Sequence, residues 1–283
     1  MRAENIRTIA IAGAGTMGQG IAQICAVGGF DVLMYDIHSE AIQKGIASME
    51  AALQKSVEKG KLTAAIKDQS LARIKKCENI QELKADLIIE AAIESLEVKK
   101  ELFQTIEKNN ANSILATNTS SISITQIASA LKNRTRFAGL HFFNPAPVMK
   151  LVEIIRGVDT SAETVETLGA FSKKLGKTPV IAKDSPGFIV NRVARHYYVE
   201  ALKMLEENNA AIQTIDKLLR VSGFKMGSFE LMDMIGIDIN FSVTRSLFNA
   251  FHQDPKFRPS RIQQQKVDAG HLGVKRGKGF YDY

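Results

Sequence analysis

The feature that most constrains this chain is Gly13-Ala-Gly15-Thr16-Met17-Gly18, a G-x-G-x-x-G set placed directly after the strand-like run Arg7-Thr-Ile-Ala-Ile-Ala12. A helical pattern from Thr16 to Gly28 follows it at once. The three glycines do different things: the first permits a tight turn, the second lets backbone approach a pyrophosphate, and the third lets the helix pack close to its strand. The helix N-terminus then presents free N–H groups to an anion. Asp31-Val-Leu-Met-Tyr35 reads as the next strand and Asp36 closes it. A carboxylate there accepts hydrogen bonds from a ribose 2′-hydroxyl and repels a 2′-phosphate. The expectation is a dinucleotide site formed by Gly13, Gly15, Thr16, Met17, Gly18 and Asp36, selective for NAD over NADP. The competing reading is a glycine-rich turn beside a solvated aspartate.

The pattern then repeats. A long amphipathic stretch from Glu40 to about Lys59 leads into a basic, polar segment, and Asp86-Leu-Ile-Ile-Glu90 reads as another strand. Further strands are expected at 113–116, 137–141, 151–155 and 179–182, with helices between several of them. Thr160-Ser-Ala-Glu163 has capping-box spacing and predicts a helix start. Strands alternating with helices imply a mainly parallel, doubly wound sheet. After Asp184-Ser-Pro-Gly187 the apolar residues recur at helical spacing, from Phe188 through Val193, Tyr197 and Leu202 to Leu205. The expected architecture is therefore α/β: a Rossmann-type doubly wound sheet in residues 1–184, then an all-helical domain in residues 185–283.

Charge narrows the partners less than it first suggests. With 37 Lys and Arg against 30 Asp and Glu the chain carries +7, which fits a polyanionic partner of any size. No aromatic-interleaved basic stripe or reading helix accompanies that charge, so no nucleic acid is expected. No apolar run approaches the roughly 18 residues of a spanning helix, and the first strand starts too early for a signal peptide to precede it. Two cysteines, Cys25 and Cys77, are too few for a disulfide framework or a thiolate metal site. A cytoplasmic protein without a metal is expected.

His141 follows the strand at 137–140, where sheets of this class place their ligands. Glu153 lies in the apolar run Leu151-Val-Glu-Ile-Ile155, where a carboxylate is costly unless paired. A His141–Glu153 pair would satisfy both groups: the carboxylate fixes the imidazole tautomer and the other ring nitrogen removes a hydroxyl proton. Spacing alone equally allows an edge-strand glutamate and a structural histidine. Thr117-Asn-Thr-Ser-Ser121 ends another strand and presents hydroxyls, either to a substrate oxygen or as a helix cap. Asn191 sits in the first turns of the helix after Pro186-Gly187, at a position that suits a site or solvent.

Seven segments, taken together, resemble the 3-hydroxyacyl-CoA dehydrogenase family. They are Gly13-Ala-Gly-Thr-Met-Gly18, Glu90-Ala-Ala-Ile-Glu94, Asn118-Thr-Ser-Ser121, His141-Phe-Phe-Asn-Pro145, Met149-Lys-Leu-Val-Glu153, Asp184-Ser-Pro-Gly-Phe-Ile-Val-Asn-Arg192 and Gly277-Lys-Gly-Phe-Tyr281. They stand in family order and span nearly the whole chain. The resemblance implies NAD-linked, reversible oxidation of an L-3-hydroxyacyl-CoA to the 3-oxoacyl-CoA. It implies His141 as the general base, Glu153 as its orienting partner, and Ser120 and Asn191 as groups that position the substrate oxygen and the imidazole. Glu94, Lys99 and Asn118 are implied on the nicotinamide ribose side. Lys55, Lys59 and Lys61 lie where the family would place coenzyme A phosphates, or on a solvated basic face. Two positions depart from the family pattern: Ala52 stands where some relatives carry a hydroxyl residue, and Ser95 where asparagine is frequent.

The helical domain resembles the family's dimerisation and substrate-closing domain, implying a homodimer. Phe257-Arg-Pro-Ser260 and the glutamine-rich stretch after it resemble bacterial enzymes of short acyl-CoAs. A 3-hydroxybutyryl-CoA substrate is expected first. The alternative is 3-hydroxyadipyl-CoA, whose terminal carboxylate requires a cation near the acyl chain. Two other functions compete: a β-hydroxyacid or 6-phosphogluconate-type dehydrogenase, disfavoured because no lysine follows Asn191 within a turn, and a non-catalytic NAD-binding relative, disfavoured by intact His141, Glu153, Ser120 and Asn191.

Overall fold

A strand flanked on both sides by parallel partners has no solvent face and reads as a continuous apolar run rather than an alternating one. β1 (Thr8–Ala12) has that character and is buried at every position after Thr8 in the computed structural model, which describes residues 3–283. The first two residues of the expected 1–184 domain lie outside the described ones. The chain continues through α1 (Thr16–Val27), β2 (Asp31–Tyr35), α2 (Ser39–Glu58), α3 (Ala64–Ala72), β3 (Ile74–Lys76), β4 (Leu87–Glu90), α4 (Leu96–Glu107), β5 (Ile114–Thr117), α5 (Ile124–Ala128), β6 (Phe137–Phe142), β7 (Leu151–Arg156), α6 (Ala162–Lys174) and β8 (Thr178–Lys183).

The eight strands form one sheet in the order β3-β2-β1-β4-β5-β6-β7-β8. Strand order runs outward from β1 to β3 on one side and from β4 onward on the other. The loops leaving β1 and β4 therefore diverge, and the crevice between them is where doubly wound sheets hold ligands. Every neighbouring pair is parallel except β6 with β7, which run antiparallel. One face of the sheet packs with α1 and α6 into a core in which Ile9, Ile11, Ile21, Val32, Leu87, Ile89, Leu140, Val152, Leu168 and Phe171 are all buried.

Three local details differ from what the sequence pattern predicts. The basic segment after α2 is not a plain loop but leads into α3, capped by Thr63 accepting from the Ile66 N–H at 3.3 Å, and into β3. β3 is three residues long, two of them lysine, and an edge strand that short carries no apolar signature. The helix expected to start at the Thr160 box is capped one residue later, where Ser161 Oγ accepts from Thr164 N–H at 3.1 Å. Thr160 is buried instead and donates its hydroxyl to the Phe137 carbonyl at 2.6 Å.

Contacts divide the chain into two units, Met1–Ser185 and Pro186–Tyr283. The second contains α7 (Val190–Glu206), α8 (Ile212–Val221), α9 (Ser228–Ile235), α10 (Ile237–Ala250) and α11 (Arg261–Asp268) around a core of Tyr198, Leu202, Ile215, Phe229, Met232 and Ile237. Two buried carboxylates tie it together. Asp216 accepts from the Phe229 and Glu230 N–H groups at the start of α9, both at 3.0 Å. Asp233 accepts from the Phe280 and Tyr281 N–H groups, both at 2.9 Å, and so docks the chain's C-terminal turn. Among the described residues no helix is long and apolar enough to cross a membrane.

Candidate active site

The glycine turn lies at the crevice, and the structure explains why each glycine is there. Gly13 has φ +117°, and a Cβ on it would strike the Ala91 backbone; a Cβ on Gly18 would strike the Gly13 carbonyl. Gly15 is different, because a Cβ there would meet no protein atom within 4 Å. It is the open space above Gly15 that a side chain would fill, as expected where backbone must face a ligand. Thr16 and Met17 open α1 with their N–H groups in its first turn. A groove of about 540 Å³ runs past Gly13, Gly15, Asp36, Ile37, Ala92 and Ile93. Asp36 sits on its wall and is itself held, Oδ2 accepting from Ala14 N–H at 2.7 Å and Oδ1 from His38 N–H at 2.9 Å. A phosphate-sized anion at the turn and a ribose at Asp36 both fit this donor set.

His141 and Glu153 are direct partners. The antiparallel pairing of β6 and β7 sets them opposite each other, and His141 Nδ1 lies 2.8 Å from Glu153 Oε2. Their side chains are 7% and 1% exposed, so the pair is nearly dry. A carboxylate can only accept, which makes Nδ1–H the donor and leaves the lone pair of the neutral ring on Nε2. Neighbouring groups hold this end of the sheet in place. Asn118 Oδ1 accepts from the Phe142 N–H at 2.8 Å, clamping β5 to the residue after His141. Lys177 Nζ donates to the Ala146 carbonyl at 2.5 Å and the Met149 carbonyl at 2.8 Å, pinning the loop that joins β6 to β7. Burial pulls the Lys177 ammonium below the ordinary lysine value.

Glu94 gathers the Thr119–Ser121 turn that follows β5. Its Oε1 accepts from Thr119 Oγ1 at 2.6 Å, from the N–H groups of Ser120 and Ser121 at 3.0 and 3.2 Å, and from Ser121 Oγ at 3.0 Å. Partial burial pushes its carboxyl up, but Lys99, the two hydroxyls and the Ser120 N–H outweigh that and leave it below the ordinary glutamate value. Lys99 is 1% exposed and points inward, with Nζ 2.6 Å from Glu90 and 3.4 Å from Glu94. Glu90 is a residue to which sequence reasoning assigns no part. It is fully buried at the end of β4 and also accepts from Thr117 Oγ1 at 2.6 Å and Ala92 N–H at 2.7 Å. The available signal is a carboxylate ending the otherwise apolar run Leu87-Ile-Ile-Glu90, which is costly without a buried cation. Asp184, which the sequence marks only as part of a turn, caps α5 by accepting from Ser123 Oγ at 2.8 Å and Thr125 N–H at 2.8 Å.

Gly13, Gly15, Thr16, Met17, Gly18, Asp36, Glu94, Lys99, Asn118, Ser120, His141 and Glu153 thus all lie in the first unit, at or near the strand ends that face the crevice. Lys59 caps the exposed end of α2, with Lys55 and Lys61 exposed beside it. Asn191 belongs to the second unit, in the first turn of α7. Among the described residues no group of three His, Cys, Asp or Glu could hold a metal ion.

Residues 8–185 match the 3-hydroxyacyl-CoA dehydrogenase NAD binding domain, and residues 187–283 match the C-terminal domain of the same family. The chain belongs to the 3-hydroxyacyl-CoA dehydrogenase family. It is 53% identical to the 3-hydroxyadipyl-CoA dehydrogenase of Escherichia coli strain K12 over 99% of this chain, but spans only 59% of that protein's length. It is 41% identical to a probable 3-hydroxybutyryl-CoA dehydrogenase of Bacillus subtilis over 98% of both chains. The crystal structure of an (S)-3-hydroxybutyryl-CoA dehydrogenase from Ralstonia eutropha superposes with a TM-score of 0.95 at 45% identity, covering 99% of each chain. Within this family the glycine turn and Asp36 belong to the NAD-binding domain, and Asn191 to the C-terminal one.

Proposed function

We propose that the chain catalyses NAD-linked, reversible oxidation of a short L-3-hydroxyacyl-CoA to the 3-oxoacyl-CoA, with His141 and Glu153 as its acid/base pair. The observation that carries this reading is the dry 2.8 Å contact between His141 Nδ1 and Glu153 Oε2 at the same end of the sheet as the glycine turn. Glu153 holds the proton on Nδ1, so Nε2 takes the substrate's hydroxyl proton as the C3–O bond becomes a carbonyl. NAD, when bound at Gly13, Gly15 and Asp36, supplies the acceptor for the hydride leaving C3. In the opposite direction the imidazolium, stabilised by Glu153, returns its proton to the nascent alkoxide. Ser120 and Asn191 position the substrate oxygen, while Glu94, braced by Lys99, and Asn118 shape the nicotinamide ribose side. Lys55, Lys59 and Lys61 receive the coenzyme A phosphates.

The first substrate reading is 3-hydroxybutyryl-CoA. The second, 3-hydroxyadipyl-CoA, is favoured by the name of the 53% identical relative. A cytoplasmic homodimer formed through the C-terminal domain completes the reading. The dimer is supported by large apolar side chains left exposed there, including Leu218 at 59%, Val221 at 78% and Phe224 at 51%. A chain-length series of 3-oxoacyl-CoAs with NADH, including a dicarboxylic member, tests the substrate class. Turnover of short members is expected. Absence of turnover with every member would overturn the reading.

A further inference from the structure

Lys177 is a buried charge that the proposed chemistry leaves unused. It is 8% exposed in the turn between α6 and β8, and its hydrogen bonds go to two carbonyl oxygens of one loop, Ala146 at 2.5 Å and Met149 at 2.8 Å. Burial pulls its ammonium below the ordinary lysine value, and among the described residues no carboxylate opposes that pull. An apolar side chain would fill the same turn without burying a charge. It would not satisfy the two loop carbonyls, each of which carries its own desolvation cost when left bare.

The loop matters because of its ends. It leaves β6 after Phe142 and enters β7 at Leu151, so it joins the strand of His141 to the strand of Glu153. Its inner side is fixed. The Val148 and Met149 N–H groups both donate to the Pro145 carbonyl, at 2.9 and 3.0 Å, and buried Ala146 packs on α1, its Cβ 3.1 Å from a Cβ built on Gly20. Its outer side is apolar and bare, with Val148 70% and Met149 40% exposed. Two adjacent apolar side chains held outward by a pinned backbone form a contact surface, the kind of feature that loops on a rigid scaffold supply for binding. A groove of about 460 Å³ leads from Pro147 and Lys177 to Ser56, Lys61 and Leu62 at the end of α2. A coenzyme A thioester needs such a path, because an uncharged arm separates its phosphates from its reacting carbonyl.

We propose that Lys177 is a positioning residue for the substrate, holding the turn at 145–149 so that Val148 and Met149 meet the uncharged arm of the acyl-CoA between its phosphates and its thioester. This rests on the dehydrogenase reading and gives that substrate a surface. The anchor grips backbone rather than a side chain, so one ammonium sets the outward direction of both apolar residues. Lys177 itself touches neither substrate nor cofactor in this arrangement; it acts through the turn.

The test follows acetoacetyl-CoA reduction by the whole protein, with NADH binding titrated separately. Lys177→Met removes the anchor and is expected to raise KM for acetoacetyl-CoA by at least about tenfold while NADH affinity stays within about twofold. Lys177→Arg, which can still donate to both carbonyls, is expected to recover part of the loss. The double variant Val148→Ser, Met149→Ser alters only exposed positions, and is expected to raise the same KM with an unchanged melting temperature. It decides the matter even where Lys177→Met fails to fold. An unchanged KM in the double variant would overturn the proposal, as would a Lys177→Met protein that loses affinity for NADH and acetoacetyl-CoA alike, the mark of a general loosening. A wild type without turnover on acetoacetyl-CoA and every other 3-oxoacyl-CoA would instead overturn the dehydrogenase reading on which it rests.

Discussion

His141 and Glu153 face each other across β6 and β7, the antiparallel pair in an otherwise parallel sheet, with Nδ1 and Oε2 2.8 Å apart. The hairpin reverses direction so that a residue at the end of one strand meets a residue near the start of the next. Both residues therefore lie towards the end of the sheet that carries the glycine turn. The proposed pair predicts that His141→Ala lowers kcat by about 10²–10⁴-fold, the usual contribution of a positioned acid/base. Equilibrium titration should find NADH affinity almost unchanged, and a large loss of cofactor binding would assign His141 a different role.

Asp36 should decide the nucleotide. Its carboxylate is oriented by the Ala14 and His38 N–H groups and lies on the wall of the groove beside Gly13 and Gly15. Asp36→Ala removes the ribose acceptor and the charge that repels a 2′-phosphate. The ratio of kcat/KM for NADH to that for NADPH should fall, and unchanged discrimination would mean that Asp36 does not touch the ribose.

Glu90 should matter for stability more than its absence from the proposed chemistry suggests. Glu90→Ala leaves the 1% exposed Lys99 ammonium without its closest partner, 2.6 Å away, and also strips an acceptor from Thr117 and Ala92. Breaking one side of a buried ion pair costs about 3–5 kcal/mol. Denaturant unfolding should show the unfolding free energy of the first unit lowered by that order, with a correspondingly lower midpoint. A shift within error would show that Lys99 finds another acceptor.

Acid should loosen the strand ends around Glu94. Burial raises its carboxyl, but Lys99, Thr119, Ser121 and Ser120 together hold it below the unfolded glutamate value. A depressed folded value means that the stabilisation is complete above the unfolded value and is lost as pH falls through the folded one. Thermal melts should therefore fall more steeply below about pH 4.5 for the wild type than for Glu94→Gln. Parallel curves would remove Glu94 from the acid response.

Much of this is legible in the sequence because it is local. Gly13, Gly15 and Gly18 act through backbone sterics within one turn, and Asp36 follows its strand directly, so spacing alone locates both. The His141–Glu153 pair is legible only as one of two readings. Its contact depends on the hairpin reversal, and spacing does not state whether two strands run parallel or antiparallel. The Glu90–Lys99 pairing escapes a sequence reading because it depends on α4 folding back over β4, and these residue types are otherwise common on helix and strand surfaces. Lys177 is hidden beside the lysines that end α6, where such a residue ordinarily marks the solvent face; only tertiary burial reveals that it does not.

The most direct measurement follows NADH consumption with acetoacetyl-CoA by the wild type and Glu153→Gln at saturating concentrations of both ligands. The wild type should turn over, and Glu153→Gln, with the imidazolium deprived of its anionic partner, should lose about 10²-fold or more in kcat while binding NADH as tightly. Equal kcat in the two proteins, or a wild type silent with acetoacetyl-CoA and every other 3-oxoacyl-CoA, would contradict the assignment of His141 and Glu153 as the pair that moves the proton.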